Sequence, residues 1–367
     1  MMKKMKKMVA LLLATIMCLS MVACSNESDT KDTSKADSES STSSDLFDLA
    51  QYKSDKDKSE WTIAVVTKDN TANWFKRMEI GVNEFGEEQS IKVIQKGPAN
   101  ADAASQVQVI DDLINQGVDA LCVVPIDPGA IEASLESAMK QGIVVVTHEA
   151  SNQKNTLFDV EAFTSEDFGA ALMDALAKEM GEKGKYGMMV AYTTSTTHME
   201  YAEAQKARQE EAYPDMELVN GGAVPTCESE ESIDTAYERA KEVLKANPDM
   251  TGFTGVASTD CPGIAKAIEE LGLGGKVKVV GVGTPNEFKE YVNSGTISKI
   301  KLWDPKDSGY AMCSIAAKIL AGEEVGDGSD LGVAGYESVK LIEGDNRCLI
   351  GEADIEITKD NIEDFDF

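Results

Sequence analysis

Residues 120–146 open with Ala120-Leu121-Cys122-Val123-Val124, pass through Pro125-Ile126-Asp127-Pro128, carry Ile131, Leu135 and Met139, and close with Gly142-Ile143-Val144-Val145-Val146. An unbroken apolar run of four or five residues between turn formers reads as a strand buried on both faces. The spacing of Ile131, Leu135 and Met139 places one apolar stripe on a helix. Asp127-Pro128 can start that helix and Gly142 can end it; Asp127 reads equally as a helix N-cap or as a ligand contact. Strand, helix and strand in this order form a βαβ unit, which requires a parallel sheet.

The same alternation extends in both directions. Upstream lie a strand at Ile63-Ala64-Val65-Val66, a helix carrying Trp74, Phe75, Met78, Val82 and Phe85, a strand at Ile91-Lys92-Val93-Ile94, and a helix carrying Val107, Ile110, Leu113 and Ile114 that stops at Gly117. Downstream, Phe168, Leu172, Leu176 and Met180 share a helical face. A second series follows: strands at Met188-Met189-Val190, near Leu218, near Phe253 and at 277–280, with helices at 200–211, 233–244 and after Pro262. A chain of 367 residues exceeds what one core usually fills. The predicted fold class is α/β, with two doubly wound parallel-sheet lobes.

The first residues do not belong to that pattern. Lys3, Lys4, Lys6 and Lys7 precede an apolar stretch running to Ala23, which reads as a secretory signal at 1–24. Met21-Val22-Ala23-Cys24-Ser25 resembles the lipobox of bacterial lipoproteins, so lipidation of Cys24 is expected. Residues 25–60 are rich in Ser, Asp, Lys, Thr and Glu; they read as a disordered tether with a span of roughly 33 Å. Of the 7 cysteines, Cys122, Cys227, Cys261, Cys313 and Cys348 remain after the signal and the lipid site. Their spacing, without C-x-x-C, implies no metal site and no disulfide framework.

Composition narrows the function. With 64 acidic against 35 basic residues and a net charge of −29, the surface lacks the basic footprint of a nucleic-acid binder. There are only two histidines, His148 and His198, and no G-x-S-x-G elbow, H-E-x-x-H or P-loop lysine motif. No catalytic residue and no cofactor are therefore predicted. Open α/β sheets bind ligands beyond the carboxyl ends of their strands. The side chains there are Lys68, Asn73 and Trp74 after the first strand, Glu149 after the fourth, Thr197 and His198 in the second lobe, then Ser258 and Asp260, then Trp303 and Asp304. Hydrogen-bonding groups with two tryptophans suit a sugar, whose hydroxyls need paired donors and acceptors and whose ring face packs on an aromatic. Trp74 fits a core position as well as a site position. His148 and Glu149 alternate in direction on a strand, which points Glu149 to the cleft and His148 to a supporting role.

The order of these segments is similar to that of bacterial periplasmic-type sugar-binding proteins of the ribose-binding class. The segments are 141–147, Val279-Val280-Gly281-Val282-Gly283-Thr284-Pro285-Asn286, Lys301-Leu302-Trp303-Asp304 and 357–362. The last three are most similar to the autoinducer-2-binding and rhamnose-binding branch of ABC-transporter substrate-binding lipoproteins. The resemblance implies lobes at 61–163 with 304–325 and at 164–303 with 326–367, three crossovers, and hinge closure on a ligand. It implies a monomer that hands a monosaccharide or sugar-like ligand to a membrane permease and is held to the membrane by its lipid. The alternative is a sensor presenting ligand to a membrane receptor. Lys68 matches the lysine of autoinducer-2 binders, and Glu149 stands at their aspartate. Thr197 and His198 replace their Asp-Gln pair, and Val256 and Ser258 their proline and alanine.

Overall fold

The computed structural model describes residues 45–342, 344 and 347–367. The predicted signal, Cys24 and residues 25–44 of the predicted tether lie outside them. Strands and helices are numbered in chain order. The first sheet contains β1 (Thr62–Val66), β2 (Lys92–Lys96), β3 (Ala120–Val123), β4 (Val144–Thr147) and β5 (Phe158–Glu161), all parallel and in the order β2-β1-β3-β4-β5. Helices α1 (Asn73–Gln89), α2 (Ala103–Asn115) and α3 (Pro128–Lys140) connect them. Each residue of β3 and β4 is buried, as expected of strands covered on both faces. Asp127 caps α3 by accepting from the Gly129 and Ala130 amides at 2.9 and 3.3 Å.

The second lobe comprises α4 (Ser165–Met180), β6 (Gly184–Val190), α5 (Thr196–Ala212), β7 (Met216–Leu218), β8 (Cys227–Glu228), α6 (Ile233–Ala246), β9 (Met250–Gly255), α7 (Asp260–Glu270), β10 (Lys278–Gly281), α8 (Pro285–Ser294) and β11 (Ile297–Leu302). The chain then returns to the first lobe as α9 (Pro305–Ala321). Helix α9 packs on α1 so closely that a Cβ at Gly81 would lie 1.8 Å from the Lys306 carbonyl oxygen, and one at Gly309 would lie 2.8 Å from Met78 Cγ. The chain continues through β12 (Lys340–Ile342) and β13 (Cys348–Ile350) and ends near β14 (Ile355–Ile357). The second sheet runs β14-β11-β10-β9-β6-β7, with β8 beside β6.

Two expectations are corrected. First, residues 326–342 and 347–350 do not join the second lobe. Strand β13 pairs parallel with β5, and β12 pairs antiparallel with β13, so this segment extends the first sheet. The third crossover therefore lies at 351–354, where the Gly351 and Ala353 amides donate to the carbonyls of Glu161 and Ala162 at the first crossover. Second, residues 45–60 are not a free tether. They form three short 3-10 turns. Leu46 and Tyr52 are buried in the core, the Tyr52 hydroxyl donates to the Leu46 carbonyl at 2.7 Å, and the Ser54 amide donates to the Leu320 carbonyl at 2.8 Å. Leu46 and Tyr52, with Phe47 and Leu49 half-buried beside them, pack on the core and order this segment.

A chain beginning at residue 61 loses both anchors. Each buried side chain of this size contributes about 1.5–3 kcal/mol. Its melting temperature is expected to fall several degrees below that of a chain beginning at residue 42, by scanning calorimetry.

Candidate functional site

The cleft between the lobes is lined by strand ends. From the first lobe come Lys68, beyond β1, and Glu149, beyond β4, with Trp74 and Phe75 on the first turn of α1. From the second lobe come His198 on α5, Glu231 beyond β8, Val256, Ala257 and Ser258 beyond β9, and Val282 beyond β10. Trp303 closes the back at the second crossover. Together they bound a tight cavity of about 20 Å³, room for about one water molecule.

Lys68 stands at its centre. Its Nζ donates to Glu149 Oε2 at 2.6 Å, lies 3.8 Å from Glu231 Oε1, and is 3.4 Å from His198 Nε2. The lysine and Glu149 are both nearly inaccessible. Burial pulls the Lys68 pKa down, but Glu149 and Glu231 outweigh it and hold the ammonium above the ordinary lysine value. Burial likewise pushes Glu149 up, yet the Lys68 charge and hydrogen bond bring its carboxyl down to about 2. Burial, followed by the Lys68 charge, lowers His198 to about 3, so its ring is neutral. Its Nε2 then accepts from the ammonium and Nδ1 carries the proton. Burial raises Glu231 to about 7 despite the opposing pull of Lys68. The site thus holds one permanent cation, one permanent anion and one carboxyl that titrates near neutrality.

A second network holds the aromatic wall. His148 is fully buried; its Nδ1 lies 2.6 Å from the Val160 carbonyl oxygen, so it donates there, and its Nε2 accepts from Trp303 Nε1 at 3.2 Å. That is the supporting role expected of it. Trp303 meets Trp74 edge to face at 4.9 Å and leans on Phe163 at 5.4 Å, which stacks on Phe168 at 4.1 Å. Trp74 therefore serves both roles left open by the sequence: it packs as core and also faces the cavity.

Of the sequence-predicted residues, Lys68, Trp74, Glu149, His198, Ser258 and Trp303 line this cavity. Four do not. Asn73 sits at the mouth, where its amide donates to Glu287 of α8 across the cleft at 2.8 Å. Thr197 is buried in the first turn of α5, behind His198. Asp260 folds back to accept from the Val256 and Ala257 amides, both at 2.9 Å; it shapes the loop rather than facing the cleft. Asp304 caps α9 through the Lys306 amide and forms a bidentate pair with Arg77 at 2.9 and 2.6 Å. Glu231 was missed because β8 is two residues long, and Glu230 and Glu231 both take left-handed backbone conformations, with φ of 57° and 53°. That double turn delivers the carboxylate, and nothing in the pattern of side chains marks it.

The described residues contain no His, Cys, Asp or Glu group that could hold a metal ion and no helix long and apolar enough to cross a membrane. Cys122, Cys227, Cys261, Cys313 and Cys348 are all free.

Two α/β lobes closing on a buried polar cluster define a class of ligand-binding proteins. Residues 63–324 match the family model of the periplasmic binding protein domain, and the chain belongs to that family. It is 24% identical over 278 residues to the D-ribose/D-allose-binding protein of Pseudomonas aeruginosa, covering 71% of this chain and 82% of that one. Among solved structures, LsrB from Clostridium saccharobutylicum in complex with AI-2 superposes with a TM-score of 0.75 at 26% identity, covering 83% of this chain and all of that one. An ABC transporter solute binding protein from Clostridium phytofermentas with bound L-rhamnose gives the same TM-score at 22% identity, over 83% of this chain and 98% of that one, a likeness of fold alone. The chain is accordingly a binding protein of the exported solute-binding type, not an enzyme.

The Glu231 carboxyl gives a pH test. Its folded pKa of about 7 lies above the ordinary glutamate value. Its contribution to stability is therefore intact below the unfolded pKa and is lost as pH rises through about 7. Replacing Glu231 with Gln should raise the melting temperature relative to the parent at pH 8 and leave it nearly unchanged at pH 5, in melts at the two pH values. An equal effect at both would contradict the assignment.

Proposed function

We propose that the chain captures a monosaccharide or sugar-like ligand in this cleft and presents it to the permease of an ABC-type importer. The observation that carries this reading is the buried Lys68–Glu149 pair set against Trp74 and Trp303. An ammonium donor beside a carboxylate acceptor matches the paired demands of vicinal hydroxyls, and indole faces match the apolar face of a ring. The ligand-binding residues are Lys68, Trp74, Glu149, His198, Ser258 and Trp303, together with Glu231. None of them is an activated nucleophile.

Closure follows from the same geometry. Besides Lys68–Glu231, the lobes meet through Asn73 and Glu287, through the Tyr192 hydroxyl on the Ala101 carbonyl at 3.0 Å, and through Ser151 on Glu200. A ligand that touches both lobes adds free energy only to the closed form and shifts the population toward it. The exported chain works as a monomer and is held at the membrane by lipid on Cys24. The lipobox-like segment and the charged, then apolar, start support that part of the reading. A second reading, sensing of autoinducer-2, has the likeness to LsrB and the position of Lys68 in its favour.

The test is a thermal-shift screen of the chain from residue 42 against pentoses, hexoses, deoxysugars, polyols and autoinducer-2. A ligand at 100 times its dissociation constant adds about 2.7 kcal/mol of stability. A shift with a sugar, abolished in Lys68→Met and Trp74→Ala, is the expected outcome. A shift with autoinducer-2 alone favours the sensor, and no shift with any compound refutes the sugar assignment.

A further inference from the structure

A cavity of about 340 Å³ lies at the other end of the first sheet from the cleft. Trp61 precedes β1, whereas Lys68 follows it; Phe85 and Gln89 stand at the end of α1, whereas Trp74 stands at its start. Helix α9 contributes Tyr310, Ser314 and Ala317. Every lining residue belongs to the first lobe, so filling this cavity needs no closure of one lobe on the other. Its volume falls within the roughly 300 to 1,000 Å³ of small-molecule sites.

The wall is aromatic, and two polar groups in it are unspent. Phe85 and Tyr310 meet edge to face at 5.1 Å. Trp61 is 4% exposed, and its indole N–H has no partner among the described residues. Ser314 is 7% exposed, and its hydroxyl has none either. Buried polar groups are normally paired, so both call for a partner that enters the cavity. The charged groups, by contrast, are engaged. Lys58 Nζ donates to Gln89 Oε1 at 2.8 Å, Lys318 Nζ to Glu323 Oε2 at 3.5 Å, and the Gly332 amide to Asp330 Oδ1 at 2.8 Å. Two lining lysines and two lining carboxylates cancel, which leaves no net charge for an ion.

We infer that this outer cavity is a second binding site, for a neutral polyhydroxylated ring, whether a free sugar or the end unit of a glycan. The apolar face of the ring packs on Trp61 and Tyr310, and its hydroxyls pair with the Trp61 N–H and the Ser314 hydroxyl. A charged ligand would have to break the Lys58 or Lys318 contact, a loss that a neutral ring avoids. The site shares no residue with the cleft, so the two readings stand or fall separately.

The chain has three tryptophans, and their indole N–H signals in a proton–nitrogen NMR spectrum report both sites at once. Trp61 reports the outer cavity; Trp74 and Trp303 report the cleft. The probes are the methyl glycosides of D-glucose, D-galactose, D-mannose and N-acetyl-D-glucosamine, with the trisaccharides maltotriose and chitotriose, titrated into the chain from residue 42, which retains every described residue. At least one probe is expected to move the Trp61 signal saturably. Tighter binding of a trisaccharide than of its methyl glycoside assigns the site to glycan ends, and equal or weaker binding assigns it to free sugars. Ser314→Ala should weaken that binding about two- to tenfold, the share of one neutral hydrogen bond. Ala317→Leu, which fills the cavity from the same face of α9, should abolish it. A Trp61 signal that no probe moves, or unchanged binding in either variant with its melting temperature preserved, overturns the inference. Movement of the Trp74 and Trp303 signals alone supports the cleft reading and overturns this one; movement of the Trp61 signal alone supports this one without the other.

Discussion

An ammonium buried between two lobes is the constraint on which the rest of the structure depends. Removing Lys68 from water is expensive unless its hydrogen bonds and charge are matched. Glu149 supplies the match from the same lobe and Glu231 completes it from the other. Their unequal roles follow from geometry: Glu149 makes a direct hydrogen bond and stays ionised, whereas Glu231 stands further off and titrates near neutrality. The strands deliver these groups because parallel sheets end together, so the residues following β1 and β4 emerge side by side with only β3 between them. The same topology in the second lobe brings the loops beyond β6, β9 and β10 to the opposite wall.

The aromatic cluster at the second crossover gives this charged centre a rigid back. Trp303 is held by one hydrogen bond to His148 and by edge contacts to Trp74 and Phe163. Immediately next to it, Asp304 ties the start of α9 to Arg77 of α1. Two adjacent residues therefore divide the work, the tryptophan facing the ligand cavity and the aspartate holding the frame. Arg77 also lies 4.2 Å from the centre of the Phe367 ring, so the tail of the second lobe rests on the first. Ligand capture and lobe closure meet at the charged centre, where Lys68 faces Glu231 and His198 of the other lobe.

Much of this was legible in the sequence, for physical reasons that can be named. Runs such as Val144-Val145-Val146 announce strands covered on both faces, and their alternation with helical stripes leaves few architectures. Counting to the residues just past each strand then found Lys68, Glu149, His198 and Trp303. Some of the failures concern contacts whose partners lie far away in the chain, and others turn on local loop geometry. Strands β12 and β13 are three residues each, and the pairing of Cys348 with Asp159 bridges 189 residues, so no local pattern could assign them to the first lobe. Asp260 and Asp304 sit at the predicted strand ends but turn to serve backbone amides, a choice that depends on loop geometry. Leu46 and Tyr52 sit in a short apolar stretch with Phe47 and Leu49 at the end of a polar segment, and their place in the core depends on residues distant in the chain.

The most direct measurement is a crystal structure of the chain with the most stabilising ligand from the thermal-shift screen. The account predicts the ligand between the lobes, with hydroxyls within hydrogen-bond distance of Lys68 Nζ and the Glu149 carboxylate and a ring face on Trp74 or Trp303. A ligand seated outside this cleft, or one that leaves Lys68 and Glu149 bonded only to each other, would contradict it.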